Sequence, residues 1–306
     1  MQKRVSLRLP LVAVAGSLVM FACAPTASVE NETSATAPAE DIEVSELPAE
    51  GEETIASAER VVALTSLSAD LTATLDSEKL VGIPGGRLVA QDSRFADIPT
   101  VSEGRTEPDL EKIVELQPDL VIGAKGFHDK ALERLSDLDI PVLTAEINSW
   151  DSLRGFTTTL ATALEADAQP LLDRYDACLS DPPSDSPSAL VLVSRQPILA
   201  PNKNSWAGDF LAQFNVQNLA ADLQGESEFD GYVTLSAEKV IEADPDSIMV
   251  VETGEDLLSQ LKSEPFWNQL KATKEENVIS FDYFGLVNPG SLASIEATCE
   301  QLKSEL

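Results

Sequence analysis

From Arg60 onward the chain alternates short apolar runs with amphipathic stretches. The runs are Arg60-Val-Val-Ala-Leu64, Leu80-Val-Gly-Ile83, Leu120-Val-Ile122 and Pro141-Val-Leu143 in the first half. Ala189-Leu-Val-Leu-Val193, Ile248-Met-Val-Val251 and Asn277-Val-Ile-Ser280 follow in the second. Several are near-continuous and β-branched rather than alternating, which suits strands covered on both faces. Between them, apolar residues recur at helical spacing. Alternating strands and helices of this kind predict an α/β fold with mainly parallel sheets and helices on both faces.

The pattern occurs twice. Residues 109 to 122 read D-L-E-K-I-V-E-L-Q-P-D-L-V-I, and residues 236 to 249 read S-A-E-K-V-I-E-A-D-P-D-S-I-M. Glu111 matches Glu238, Lys112 Lys239, Glu115 Glu242, Pro118 Pro245 and Asp119 Asp246, while Ile113, Val114 and Val121 meet Val240, Ile241 and Ile248. In each copy Asp109 or Ser236 supplies an N-cap. The proline then ends the helix, because it lacks an amide donor and disfavours helix in the residue before it. Copies this far apart predict two similar lobes rather than a solenoid, whose repeats are shorter. The lobes are expected at 60–148 and 189–306. Residues 149–188 form a helical linker between them, in which Pro170 opens the second helix and the proline-rich stretch from Ser180 to Ser188 is a loop.

The N-terminal residues differ in character. Lys3, Arg4 and Arg8 precede an apolar run from Leu11 to Ala22, too short to span a bilayer and suited to a secretory signal. The run ends in Met20-Phe21-Ala22-Cys23, which resembles a bacterial lipoprotein signal, with Met20 where leucine is usual. That resemblance implies export and lipidation at Cys23, residues 1–23 being the signal. Residues 24–59 hold ten acidic residues and no basic one. With so little apolar surface to bury, this stretch reads as a disordered tether lifting the body off the membrane.

Overall composition is globular, with 43% apolar and 24% charged residues, but 21 Lys and Arg stand against 52 Asp and Glu, a net charge of −31. Nucleic acid is thereby excluded as a partner, since phosphates are bound by neutralising them. In an exported protein the two body cysteines, Cys178 and Cys299, are expected to be bridged. His128 is the single histidine, which leaves no ligand set for a zinc or manganese carrier. The chain also carries no nucleophile elbow, Gly-rich phosphate loop or H-E-x-x-H motif. No catalytic residue and no cofactor are expected, and the chain reads as a binding protein rather than an enzyme.

The opening R-V-V-A-L-T-S, the run G-R-T-E-P-D-L-E-K-I-V-E-L-Q-P-D-L-V-I-G, the segment D-I-P-V-L and the helical link resemble the periplasmic binding proteins for ferric siderophores, haem and cobalamin. The similarity runs from about Arg60 to the C-terminus. It implies a ligand cleft between two lobes that move little, on a monomer that delivers its cargo to an ABC importer. Docking to the importer's membrane subunits then falls to Glu111 and Glu238, one per lobe. The C-terminal run F-D-Y-F-G-L-V-N-P-G-S is closest to the cobalamin branch. Ligand contacts are expected on loops at the carboxyl ends of strands. Arg87, Arg105 and Arg195 are placed to bind an anionic ferric chelate. Phe127, Trp206, Tyr232, Tyr283 and Phe284 are placed to cover a flat or amphipathic ligand. A ferric siderophore is the first expectation and a corrinoid or haem the second. A third reading, of another class, is an adhesive or assembly lipoprotein that kept the fold and lost its ligand.

Overall fold

The structure, a computed structural model, describes residues 57–306 except 104–105, 185–186, 224–226, 228 and 254–255. The signal, Cys23 and all but the last residues of the tether therefore lie outside the described residues, as does Arg105.

The first lobe runs through β1 (Val61–Ala63), α1 (Ser66–Asp76), β2 (Leu80–Pro84), α2 (Arg87–Gln91), β3 (Thr100–Ser102), α3 (Leu110–Glu115), β4 (Leu120–Ala124), α4 (Asp129–Ser136) and β5 (Val142–Ala145). Its sheet has five strands in the order β3-β2-β1-β4-β5, all parallel. Every residue of β1 is fully buried, as its unbroken apolar run requires of a central strand.

The link consists of two helices, α5 (Trp150–Ala163) and α6 (Gln169–Leu179), with Pro170 in the first turn of α6. Ser149 caps α5 through a reciprocal box with Ser152. Thr157 Oγ1 and Tyr175 OH lie 2.9 Å apart and tie the two helices, and burial pushes the Tyr175 phenol up to about 12.

The second lobe comprises β6 (Ser188–Leu192), β7 (Ser194–Arg195), β8 (Ile198–Pro201), α7 (Trp206–Gln213), β9 (Gln217–Asn218), β10 (Tyr232–Leu235), α8 (Ala237–Ala243), β11 (Ser247–Glu252), α9 (Leu257–Lys262), α10 (Lys271–Lys274), β12 (Val278–Asp282), the turn α11 (Tyr283–Leu286) and α12 (Leu292–Glu305). Its main sheet, β12-β11-β6-β9, is parallel. A second sheet, β10-β8-β7, is antiparallel. The sequence pattern does not reveal this ribbon, because its strands are two to four residues long, too short for an alternation to register.

The duplicated motif has the same job in each lobe. Asp109 accepts the Lys112 amide and Ser236 accepts the Lys239 amide, capping α3 and α8. The aspartate after each proline then fastens the start of the lobe's first strand. Asp119 accepts the amides of Glu59 and Arg60 at 2.8–3.1 Å, and Asp246 accepts the Ser188 amide at 3.2 Å and its hydroxyl at 2.6 Å. Lys271, 2.6 Å away, together with Ser188 holds Asp246 down to about 2.

One apolar core extends from Val61, Leu120 and Ile122 of the first lobe through Trp150, Leu160 and Tyr175 of the link to Val191, Phe210 and Phe281 of the second. Cys178 of α6 and Cys299 of α12 are joined there, their Cα atoms 5.6 Å apart. Arg174 Nε meets Glu296 Oε1 at 2.7 Å along the same pair of helices. The link is thus packed on the second lobe along its length rather than bridging open space. Among the described residues, no helix is long and apolar enough to cross a membrane.

Candidate ligand cleft between the lobes

Parallel sheets present the carboxyl ends of their strands, and the loops that follow, on one edge. Here the two edges approach each other. Arg87, just after β2 in the first lobe, donates from Nη2 to both carboxylate oxygens of Asp282, at the end of β12 in the second, at 2.9 and 3.0 Å. Its guanidinium carbon lies 5.2 Å from the centroid of the Phe284 ring, a cation–π arrangement. Leu88 reaches the same place. A Cβ on Gly290 would strike both the Leu88 side chain and the Phe284 ring, so only glycine lets the chain pass between them.

The turn after β12 is locked from behind. Gly285 has φ +106°, and a Cβ there would run into the Thr298 hydroxyl and the Ser294 carbonyl of α12. Its own carbonyl accepts the Trp206 indole N–H at 2.7 Å. The turn therefore presents Tyr283 and Phe284, both half-buried, from a fixed backbone. Asn288 Nδ2 lies 3.4 Å from the Tyr283 hydroxyl.

Also on the second lobe, Tyr232 begins β10, and its ring packs edge-on to Phe229 at 6.5 Å. Burial drives the Tyr232 phenol upward, with a smaller push from Tyr283. On the first lobe, Lys125 bonds Glu146 Oε2 at 2.6 Å, which raises the Lys125 amine; Asp129 and, from the second lobe, Asp230 add to the effect. Lys125 of the first lobe and Asp230 of the second thus lie within electrostatic range of one another. Phe127 and Phe229 are 84% and 56% exposed, far more than large apolar side chains usually are.

Two depressions open on these edges. One, of about 250 Å³, lies at the ends of β6 and β11 among Ser194, Arg195, Gln196, Thr253 and Leu257. Arg195 is held by Glu264 at 3.1 Å on its wall. The other, of about 270 Å³, lies on the first lobe among Glu107, Pro108, Phe127, Lys130 and Arg134.

The structure thus gathers Arg87, Tyr232, Tyr283 and Phe284 near one another and sets Phe127 on a flanking loop and Arg195 in the short strand β7. Trp206 is a different case. It is 3% exposed, its ring lies 5.2 Å from Trp150, and its N–H is taken by Gly285. It belongs to the core behind the turn and offers a ligand no face. The i, i+4 spacing of Trp206, Phe210 and Phe214, an apolar helix stripe, was the signal for this.

His128 is half-buried, and its Nδ1 accepts the Ala124 amide at 3.0 Å. Burial lowers its pKa. Among the described residues no group of three or more His, Cys, Asp or Glu could hold a metal ion.

Sequence reasoning missed Asp282, Glu264, Lys125, Glu146, Phe229 and Asp230. Asp282, Glu264, Lys125 and Glu146 have partners well outside their own stretch of sequence, and nothing in the local pattern marks them.

Glu111 and Glu238 are both exposed in the first turns of α3 and α8. The Glu238 carboxyl is held below its usual range by its own backbone amide and by the Ser236 hydroxyl.

Comparison with known proteins fits this architecture. Over 218 residues the chain is 28% identical to the iron-uptake system-binding protein of Bacillus subtilis (strain 168), covering 64% of either chain. It is 24% identical over 188 residues to the Fe(3+)-citrate-binding protein YfmC of the same organism, covering 58% of each. The aligned region thus spans less than two thirds of the length of these two relatives. A crystal structure of an ABC transporter substrate-binding protein from Listeria monocytogenes EGD-e superposes with a TM-score of 0.68 at 22% identity, covering 81% of this chain and 98% of that one; at this identity the likeness is one of fold. Residues 61–283, which take in most of both lobes and all of the link, match the periplasmic binding protein family, and the chain belongs to that family.

Proposed function

We propose that this protein is an extracytoplasmic, lipid-anchored solute-binding protein that delivers a ferric-siderophore-type iron complex to an ABC importer. The observation that carries the reading is the cleft itself. Two α/β lobes on one continuous core turn their strand ends toward each other, and the aromatic and cationic side chains gather where those ends meet. The relationship to an iron-uptake binding protein and an Fe(3+)-citrate-binding protein supports iron as the cargo.

In this reading Arg87, Arg105, Arg195, Phe127, Tyr232, Tyr283 and Phe284 contact the ligand. Glu111 and Glu238 dock the monomer on the importer's membrane subunits, and Cys23 carries the lipid that holds it at the membrane. The reading is one of binding and release without catalysis.

The test is equilibrium dialysis of the purified exported chain against iron-labelled hydroxamate, catecholate and citrate complexes, with cobalamin and haem alongside. Saturable binding of an iron complex at micromolar or tighter affinity, about 8 kcal/mol, is expected. Binding of cobalamin or haem alone would move the cargo to that class. A folded protein that binds none of them would overturn the importer reading.

A further inference from the structure

We infer that the chelate taken by this cleft carries no net negative charge: the site selects an uncharged or cationic iron complex over a polyanionic one. The inference rests on the ferric-chelate reading above and narrows it.

A polyanionic complex such as a ferric tris-catecholate is held by guanidinium or ammonium groups free to make charge-assisted bonds to it. Three described cations where the strand ends meet are already engaged, while Lys130 and Arg134 line the depression beside Phe127. Both Asp282 oxygens take Arg87 Nη2 at 2.9 and 3.0 Å. Glu264 lies 3.1 Å from Arg195, and Glu146 lies 2.6 Å from Lys125. Asp129 and Asp230 also act on Lys125. Five carboxylates therefore face three cations.

An anion entering here must take a cation from its carboxylate and then sit beside the carboxylate it has displaced. For Arg195 and Glu264 the exchange is least favourable, because their side chains are only 30% and 23% exposed. A partly buried charge left without its partner is costly. Arg87 and Asp282 join the two lobes, so an anion that captured Arg87 would also undo a contact that closes the cleft.

An uncharged complex meets none of these penalties. Its organic shell would replace water on the exposed faces of Phe127 and Phe229, which flank the opening from opposite lobes, and on Tyr283 and Phe284 within it. Aromatic side chains on a rigid frame are suited to such a surface. Trihydroxamate complexes of iron, uncharged or singly positive, have this character.

The experiment compares four probes at fixed ionic strength on the purified exported chain: ferrichrome (uncharged), ferrioxamine B (cationic), ferric enterobactin (trianionic) and ferric citrate. At least one hydroxamate complex is expected to bind at least ten times more tightly than either anion. An anion that binds as tightly as the better hydroxamate overturns the inference while leaving the iron-chelate reading intact. If no iron complex binds saturably, that reading falls and the inference with it.

The Asp282→Asn variant, which keeps the shape and frees Arg87, supplies the second readout. It should shift the affinity ratio between the anionic complexes and the favoured hydroxamate about tenfold toward the anions, whatever it does to overall affinity. Unchanged discrimination in that variant, shown to be folded by near-ultraviolet dichroism, would mean that the carboxylates are not the source of selectivity and would also overturn the inference.

Discussion

Asp70 in the first helix of one lobe accepts a hydrogen bond from the backbone amide of Leu292, 222 positions further along the chain, at 2.7 Å. Leu292 opens α12, so the carboxylate sits where the amides of that helix point outward and favour negative charge. The other Asp70 oxygen takes Arg94 Nη2 at 2.6 Å. The residue is 4% exposed, so this single carboxylate fastens the two lobes together beneath the cleft. Replacing it with alanine leaves the first amide of α12 without its acceptor and strips Arg94 of its buried partner. Because Arg94 keeps its bonds to Asp92, Asp70→Ala is expected to cost about 2 kcal/mol, chiefly for the buried Leu292 amide left unpaired, read as a fall in the urea midpoint with an unchanged slope. A loss below about 0.5 kcal/mol would mean that the helix cap of Ser291 and the apolar contacts suffice to hold the lobes.

The bridge between Cys178 and Cys299 closes a loop of 121 residues. Cross-linking restricts the unfolded chain, and for a loop of this length the entropy model gives more than 4 kcal/mol, of which real proteins commonly realise about 2–4. The Cys178→Ser, Cys299→Ser double variant should therefore unfold more readily by roughly that amount. Dithiothreitol should shift the parent protein toward the variant and leave the variant unmoved. Equal stability of the two proteins under oxidising conditions would show that Arg174–Glu296 and the buried faces of α6 and α12 already set the geometry unaided.

The repeated motif was legible because its physics is local. Pro118 and Pro245 end helices wherever they stand, and Asp109 and Ser236 cap the helices that begin beside them. The role of Asp119 and Asp246, fastening a strand some sixty residues earlier, was not legible, because their partners lie far away in sequence. The cleft was legible only in part. That Arg87, Phe127 and Tyr283 would follow the ends of strands comes from the parallel topology; that Arg195 lies within β7 of the antiparallel sheet does not. That Arg87 would be held by Asp282 does not, because the partners are 195 positions apart and many other carboxylates compete in so acidic a chain. Trp206 was misjudged for a related reason: its helix begins at a loop, but its ring turns inward on Trp150, and facing direction is set by packing rather than by proximity to a strand end.

Docking makes a prediction that separates binding from delivery. Glu111 and Glu238 are exposed on matching helices, outside the cleft. Alanine at both positions should leave ligand affinity within twofold. If these residues dock the protein as proposed, uptake of its cargo by cells carrying the double variant should fall at least tenfold, since a charge-assisted contact is worth about 1.5–3 kcal/mol. Single variants should lose less than the pair. Normal uptake by the double variant would remove these residues from the docking surface.

His128 gives the protein a titration tied to the rim of the cleft. Its Nδ1 accepts the Ala124 amide at 3.0 Å, a bond that only the unprotonated nitrogen can make. Burial lowers its pKa below the ordinary 6.5, opposed only in part by Asp129. In the unfolded chain the imidazole takes up its proton near 6.5, whereas the folded protein resists it to lower pH, so below that point the unfolded state binds more protons. The stability that His128 contributes is therefore complete above about pH 7 and declines as the pH falls below 6.5 toward its lowered folded value. Comparison with His128→Gln isolates this contribution, because carboxylates such as Asp246 titrate at lower pH in both proteins. The difference in melting temperature between parent and variant should be largest at pH 7–8 and shrink steadily toward pH 5. A difference that stayed constant across that range would show that the folded state protonates His128 as easily as the unfolded one, and that the bond from Ala124 does not hold the loop that carries Phe127.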